Sequence, residues 1–100
     1  MVHHIVLWNL KEELNADEKK EAALNIKEKL EAVKDSVSGV VSLQVVTDGL
    51  PSGNKDIGLI SVFETKEALH EYQVSPAHIE AAGYVGEAAT GRVCFDYETK

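Results

Sequence analysis

The chain of 100 residues has a single cysteine, Cys94. An intrachain disulfide is therefore excluded, and the thiol is expected to be buried and inert, in keeping with a reducing compartment. Basic runs are missing too. Ten Lys and Arg stand against seventeen Asp and Glu, for a formal net charge of -7, and a phosphate backbone needs clustered cations that this chain does not offer. No nucleic-acid partner is expected. No window approaches the ~20 apolar residues of a membrane span. Met1-Val2-His3-His4 also lacks the basic stretch followed by an apolar run that marks a secretory leader. No membrane partner is expected, and a cytoplasmic location is. The glycines between Asp48 and Gly58 form neither the phosphate-loop nor the dinucleotide-binding spacing, so they are read as turn glycines. No Ser, His and acid series suggests a nucleophilic triad, and no internal repeat or low-complexity segment is present.

What is there reads as one domain, residues 1–100. With 44% hydrophobic and 27% charged residues, the composition is that of an ordinary globular protein. Val2 to Leu10 is apolar on both alternating faces, the pattern of a strand covered on both sides. His4, Val6 and Trp8 share one face, and His3, Ile5 and Leu7 share the other. Asn15 followed by Glu18 has the form of a capping box. A helix should follow it, with Ala23, Ile26, Leu30, Val33 and Val37 as its inner stripe, a solvated Glu and Lys face outside, and Gly39 as its stop. Val40 to Thr47 reads as a second strand, Asp48 to Lys55 as a loop and Ile57 to Phe63 as a third strand. Thr65 caps a short helix with Ala68, Leu69 and Tyr72 inside, and Ser75-Pro76 starts another that runs to Ala82. Residues 83–91 read as a small-residue connection, and Arg92 to Tyr97 as the last strand.

This order predicts an α+β, ferredoxin-like fold: a four-stranded antiparallel sheet with helices on one face. The other face would be bare, yet the first strand is apolar on both sides. A second copy packing through that sheet face is the simplest cover, which predicts a twofold homodimer.

Four stretches carry a family resemblance: His4-Ile5-Val6-Leu7; Ser61-Val62-Phe63-Glu64 with Glu67-Ala68-Leu69; Tyr72-Gln73-Val74-Ser75-Pro76-Ala77-His78; and Phe95-Asp96-Tyr97-Glu98. In this order and spacing they resemble the stress-responsive A/B barrel domain (Dabb) family over Val2 to Glu98. The resemblance implies a dimeric α+β barrel. Some plant members act as polyketide cyclases through acid and base groups without a cofactor, and the positions that match their pattern are His4, Tyr72 and His78. Members often carry a second histidine directly before the proline, where this chain has Ser75.

Histidine exchanges protons near neutrality and tyrosine can donate a hydrogen bond to a carbonyl, so the trio suits enolate chemistry. In that reading His78 is the general base, Tyr72 polarises the carbonyl, and His4 orients base or substrate. Val6, Trp8 and Ala82 would line an apolar pocket. A rival reading gives the same residues structural work: His78 bonding a backbone group, Tyr72 anchoring two helices, and His4 a satisfied core residue. Neither reading involves a cofactor. Metal ligation is not expected, because His3 and His4 face opposite ways and Pro76 separates His70 from His78, which also lack i, i+4 spacing. The expected function is binding of a small apolar or aromatic molecule, with a cofactor-independent cyclase or lyase as the alternative.

Overall fold

Side-chain oxygens mark where the helices begin. In the computed structural model, which describes residues 1–100, Asn15 accepts from the Glu18 amide and Glu18 accepts from the Asn15 amide, each at 2.8 Å. This reciprocal cap opens α1 (Ala16–Val33) and satisfies two donors that a helix start would otherwise leave orphaned. Thr65 accepts from the Ala68 amide at 3.0 Å and opens α2 (Lys66–Val74). Ser75 joins two helices: its hydroxyl donates to the Tyr72 carbonyl at 2.8 Å and accepts from the His78 amide at 3.2 Å. Pro76 then fills the first position of α3 (Pro76–Ala88), where its missing N–H costs nothing.

The strands are β1 (Val2–Leu10), β2 (Val40–Val46), β3 (Ile57–Phe63) and β4 (Ala89–Glu98). They pair antiparallel in the order β2-β3-β1-β4. This is the expected ferredoxin-like arrangement, with β1 and β3 central. Several boundaries differ from the sequence reading. Helix α3 continues past Ala82 to Ala88, and β4 starts at Ala89, so residues 83–91 are not a loop. Ala81, Val85 and Ala88 are buried at steps of four and three, and their packing outweighs the ~1 kcal/mol that each glycine costs a helix interior. On α1 Ala22 is buried in the inner stripe, while Ala23 packs half-buried against its edge. That helix also ends well before Gly39, in a 3-10 turn at Lys34–Ser36. Gly39 instead serves the entry to β2, at φ +81°, where an added Cβ would lie 2.6 Å from the Ala68 Cβ.

The charged face of α1 is not wholly solvated. Lys27 donates to Glu31 and to the Val45 carbonyl, both at 2.7 Å, and Glu31 accepts from the Val45 amide at 2.9 Å. One helical turn thus satisfies both outward backbone groups of Val45 on an edge strand. Burial raises the Glu31 carboxyl, but the Lys27 ammonium and the Val45 amide bring it below the usual carboxylate range.

On the helix side of the sheet Val2, His4, Val6, Trp8 and Leu10 are buried with Leu43, Val45, Leu59 and Phe63. The opposite side has no helix against it. There Ile5 lies between Ile60 and Phe95, and Leu7 is opposite Val93. His3 stacks on Tyr97 at 4.4 Å between ring centroids. Phe95 is 65% exposed. No helix is long and apolar enough to cross a membrane.

Candidate functional site

A cavity of about 250 Å³ opens between the inner face of the sheet and helices α1 and α3. Val6, Trp8, Leu30, Leu59 and Val85 form its apolar wall, and His4, His78, Ala82 and Arg92 also line it. The even-numbered residues of β1 reach it because a strand turns alternate side chains to one face.

His4 is buried in that wall, and its direct cross-strand partner is Asp96. Its Nδ1 lies 2.5 Å from an Asp96 carboxylate oxygen. A carboxylate can only accept, so Nδ1 carries the proton and Nε2 is the nitrogen left with a lone pair in the neutral ring. His78 is held in the same sense by α2, because its Nδ1 donates to the Gln73 carbonyl at 3.1 Å. Burial, the Coulomb effect of His4 and that of Arg92 lower the His78 pKa from its ordinary value, against a smaller rise from the Gln73 bond. The neutral ring, with Nε2 bare, is the favoured form. Two imidazoles with anchored Nδ1 atoms therefore border one apolar cavity.

Tyr72 sits behind them. It is fully buried, with Phe63 at 5.0 Å and His78 at 4.5 Å between ring centroids, and it is not part of the cavity wall. Its hydroxyl has no hydrogen-bond partner, and burial pushes its pKa up to about 12. The structure thus places His4, His78, Val6, Trp8 and Ala82 around one space, with Tyr72 packed against His78 outside it.

The buried cysteine expected from the sequence is corrected, because Cys94 is exposed. It lies on edge strand β4, where Ala89 is the single residue that is buried. Partial desolvation by its neighbours raises its thiol pKa, as do the bond to Asp96 and that carboxylate's charge, against a smaller opposing effect of Arg92. The protonated thiol donates to Asp96 at 3.4 Å. His4, Cys94 and Asp96 have ligand-type atoms within 4.8 Å of one another, but the His4 nitrogen and the Asp96 oxygen are taken up by their own short bond.

Asp96 and Arg92 were not among the candidates read from the sequence. Cys94, Asp96 and Arg92 alternate along one strand, which is a legible signal of a shared face. Their pairing with β1 depends on register. That register shifts between Leu7 and Asn9, where β4 carries one extra residue at Gly91, φ +66°.

The model of the Stress responsive A/B Barrel Domain family, Dabb, matches residues 2–99. A crystal structure from Bacteroides fragilis, described as a dimeric protein of unknown function with a ferredoxin-like fold, is 30% identical. It superposes with a TM-score of 0.90 over 98% of this chain and 95% of that one. A Dabb family protein with a ferredoxin-like fold from Mesorhizobium loti is 19% identical, with a TM-score of 0.71 over 99% of this chain and 96% of that one. A hydroxynitrile lyase from Passiflora edulis is 19% identical, with a TM-score of 0.72 over 96% of this chain and 90% of that one. Similarity at 19% identity shows the fold alone. No curated protein matches the chain by sequence.

Proposed function

The chain belongs to the stress-responsive A/B barrel domain family, and from that premise we propose that it binds a small, mainly apolar or aromatic molecule in the cavity beside β1, as a twofold dimer joined through its open sheet face in the cytoplasm. The observation that carries the binding reading is the cavity itself: about 250 Å³, with an apolar wall and two tautomer-fixed histidines. Natural ligand sites combine such walls with a few oriented polar groups. The dimer is supported by the apolar face containing Ile60, Val93 and Phe95 and by the description of the Bacteroides fragilis protein as dimeric.

Trp8 is the sole tryptophan and lines the cavity, so its fluorescence reports occupancy. Titration with neutral single-ring aromatics such as 4-propylphenol and acetophenone should give a saturable change with one site per chain. Gly86 also lines the cavity, and a Cβ there would meet nothing within 4 Å. Gly86→Leu should therefore fold normally and abolish saturation. Equal saturation in the variant, or none in the wild type, overturns the reading.

A second reading makes His78 a general base that removes a proton beside a substrate carbonyl, with His4 orienting the substrate. Its support is the bare Nε2 of a ring held neutral by burial and neighbouring charge. In this reading turnover persists somewhat below pH 6.5, the ordinary histidine value, and is lost in His78→Ala while ligand binding remains. Turnover unchanged in His78→Ala removes His78 as the base. Tyr72, outside the cavity wall, reaches the substrate in this reading only if His78 moves aside.

A further inference from the structure

We propose that the ligand carries one carboxylate, which Arg92 receives at the cavity wall, so that the site selects compact aromatic or aliphatic monocarboxylates over their neutral isosteres. This rests on the small-molecule reading above and adds the class of ligand.

The sequence makes Arg92 exceptional, because it is the single arginine among 100 residues. A guanidinium presents a planar fork of donors that matches a carboxylate two bonds at a time, which a lysine ammonium does not. Seventeen acidic residues are available to pair with it. None does: the ion pairs of the molecule are His4 with Asp96, Lys27 with Glu31 and Lys66 with Glu98. Asp96 lies two pleats further along the same face, with one carboxylate oxygen engaged by both His4 and the Cys94 thiol and no ion pair to Arg92.

The backbone turns Arg92, an exposed residue, to the helix side at the rim of the cavity. Ala89 pairs with Leu10, and Cys94 pairs with Val6, so Ala89 and Cys94 both face the helices. Strict alternation from Ala89 would turn residue 92 to the opposite face. The extra residue at Gly91 changes the phase, and Arg92 joins Cys94 and Asp96 on the helix side. Bulges commonly re-aim a side chain in this way.

Within the cavity wall no carboxylate answers the charge. The cavity wall contains Arg92, His4 and His78 but no acidic residue and no lysine. Arg92 is near enough to His78 for its charge to oppose protonation of that ring, so a carboxylate on the guanidinium would lie beside His78. At about 250 Å³ the space falls just below the ~300–1,000 Å³ of drug-sized sites, which points to a single ring or a short chain.

Calorimetry with the full chain tests this, using benzoate, 3-phenylpropionate and octanoate against benzamide, 3-phenylpropionamide and octanamide. The wild type should bind at least one acid about tenfold more tightly than its amide, the size expected for a charge-assisted bond at a part-open site. Arg92→Gln should erase that preference while keeping the amide affinity, and Arg92→Lys should retain only part of it. Equal affinity of acids and amides in the wild type overturns this inference and leaves small-molecule binding intact. Preference preserved in Arg92→Gln also overturns it. If neither acids nor amides bind, both this inference and the reading it rests on fail.

Discussion

Tyr72 shows at the scale of one residue how burial and function pull apart. Its hydroxyl lies in the core without a partner, and a desolvated, unbonded polar group costs about 1–3 kcal/mol. Tyr72→Phe removes that group and keeps the ring between Phe63 and His78. Stability should rise by about 1 kcal/mol, or about 4–8 °C in Tm for a domain of this size. Thermal and urea unfolding measure this, and a loss of stability would mean that the hydroxyl is bonded in solution. With a pKa pushed up to about 12, the phenol stays protonated at neutral pH. Cys94 and Asp96 make the complementary point. Their alternation along the strand is visible in the chain, but the bond from Asp96 to His4 exists only because β4 lies beside β1 in one register.

At the scale of elements, the caps were legible because capping is local. Asn15 with Glu18, Thr65, and Ser75 with Pro76 each act within three residues of their own backbone. The end of α3 was not legible, because Gly83 and Gly86 read as a connection while Ala81, Val85 and Ala88 are held in the helix by contacts with the rest of the core. Gly83 is exposed, with nothing within 4 Å of an added Cβ. Gly83→Ala should therefore raise stability by about 0.5–1 kcal/mol through helix propensity alone. Chemical unfolding with an unchanged m-value is the expected readout, and destabilisation would contradict the observed helix. The Lys27 and Glu31 pair illustrates the opposite limit: its i, i+4 spacing is local, but the Val45 backbone it satisfies is fourteen and more residues away.

For the whole molecule, the unanswered question of β1 is which surface meets its second apolar face. Ile5, Leu7, Ile60, Val93 and Phe95 form a continuous apolar face with no helix against it, and exposed patches of this kind mark interaction sites. The proposed dimer predicts that the wild type sediments as twice the 10.9 kDa chain at micromolar concentration. Phe95→Glu should yield a folded monomer with an unchanged circular dichroism spectrum. At 65% exposure this side chain contributes little to the fold of a single chain, so loss of the dimer would report the interface. A wild-type monomer would remove the pairing.

By itself, the sequence determined the order of strands and helices, the caps, the two-faced first strand and the family, because each rests on periodicity or on contacts within a few residues. Only the tertiary structure decided that Asp96 fixes the tautomer of His4, that Tyr72 stands behind the cavity wall, that Cys94 is open to solvent and that Arg92 lies on the helix side at the cavity rim. The outcomes on β4 depend on strand register and on one extra residue at Gly91, and a single residue of slip reverses every side chain it touches.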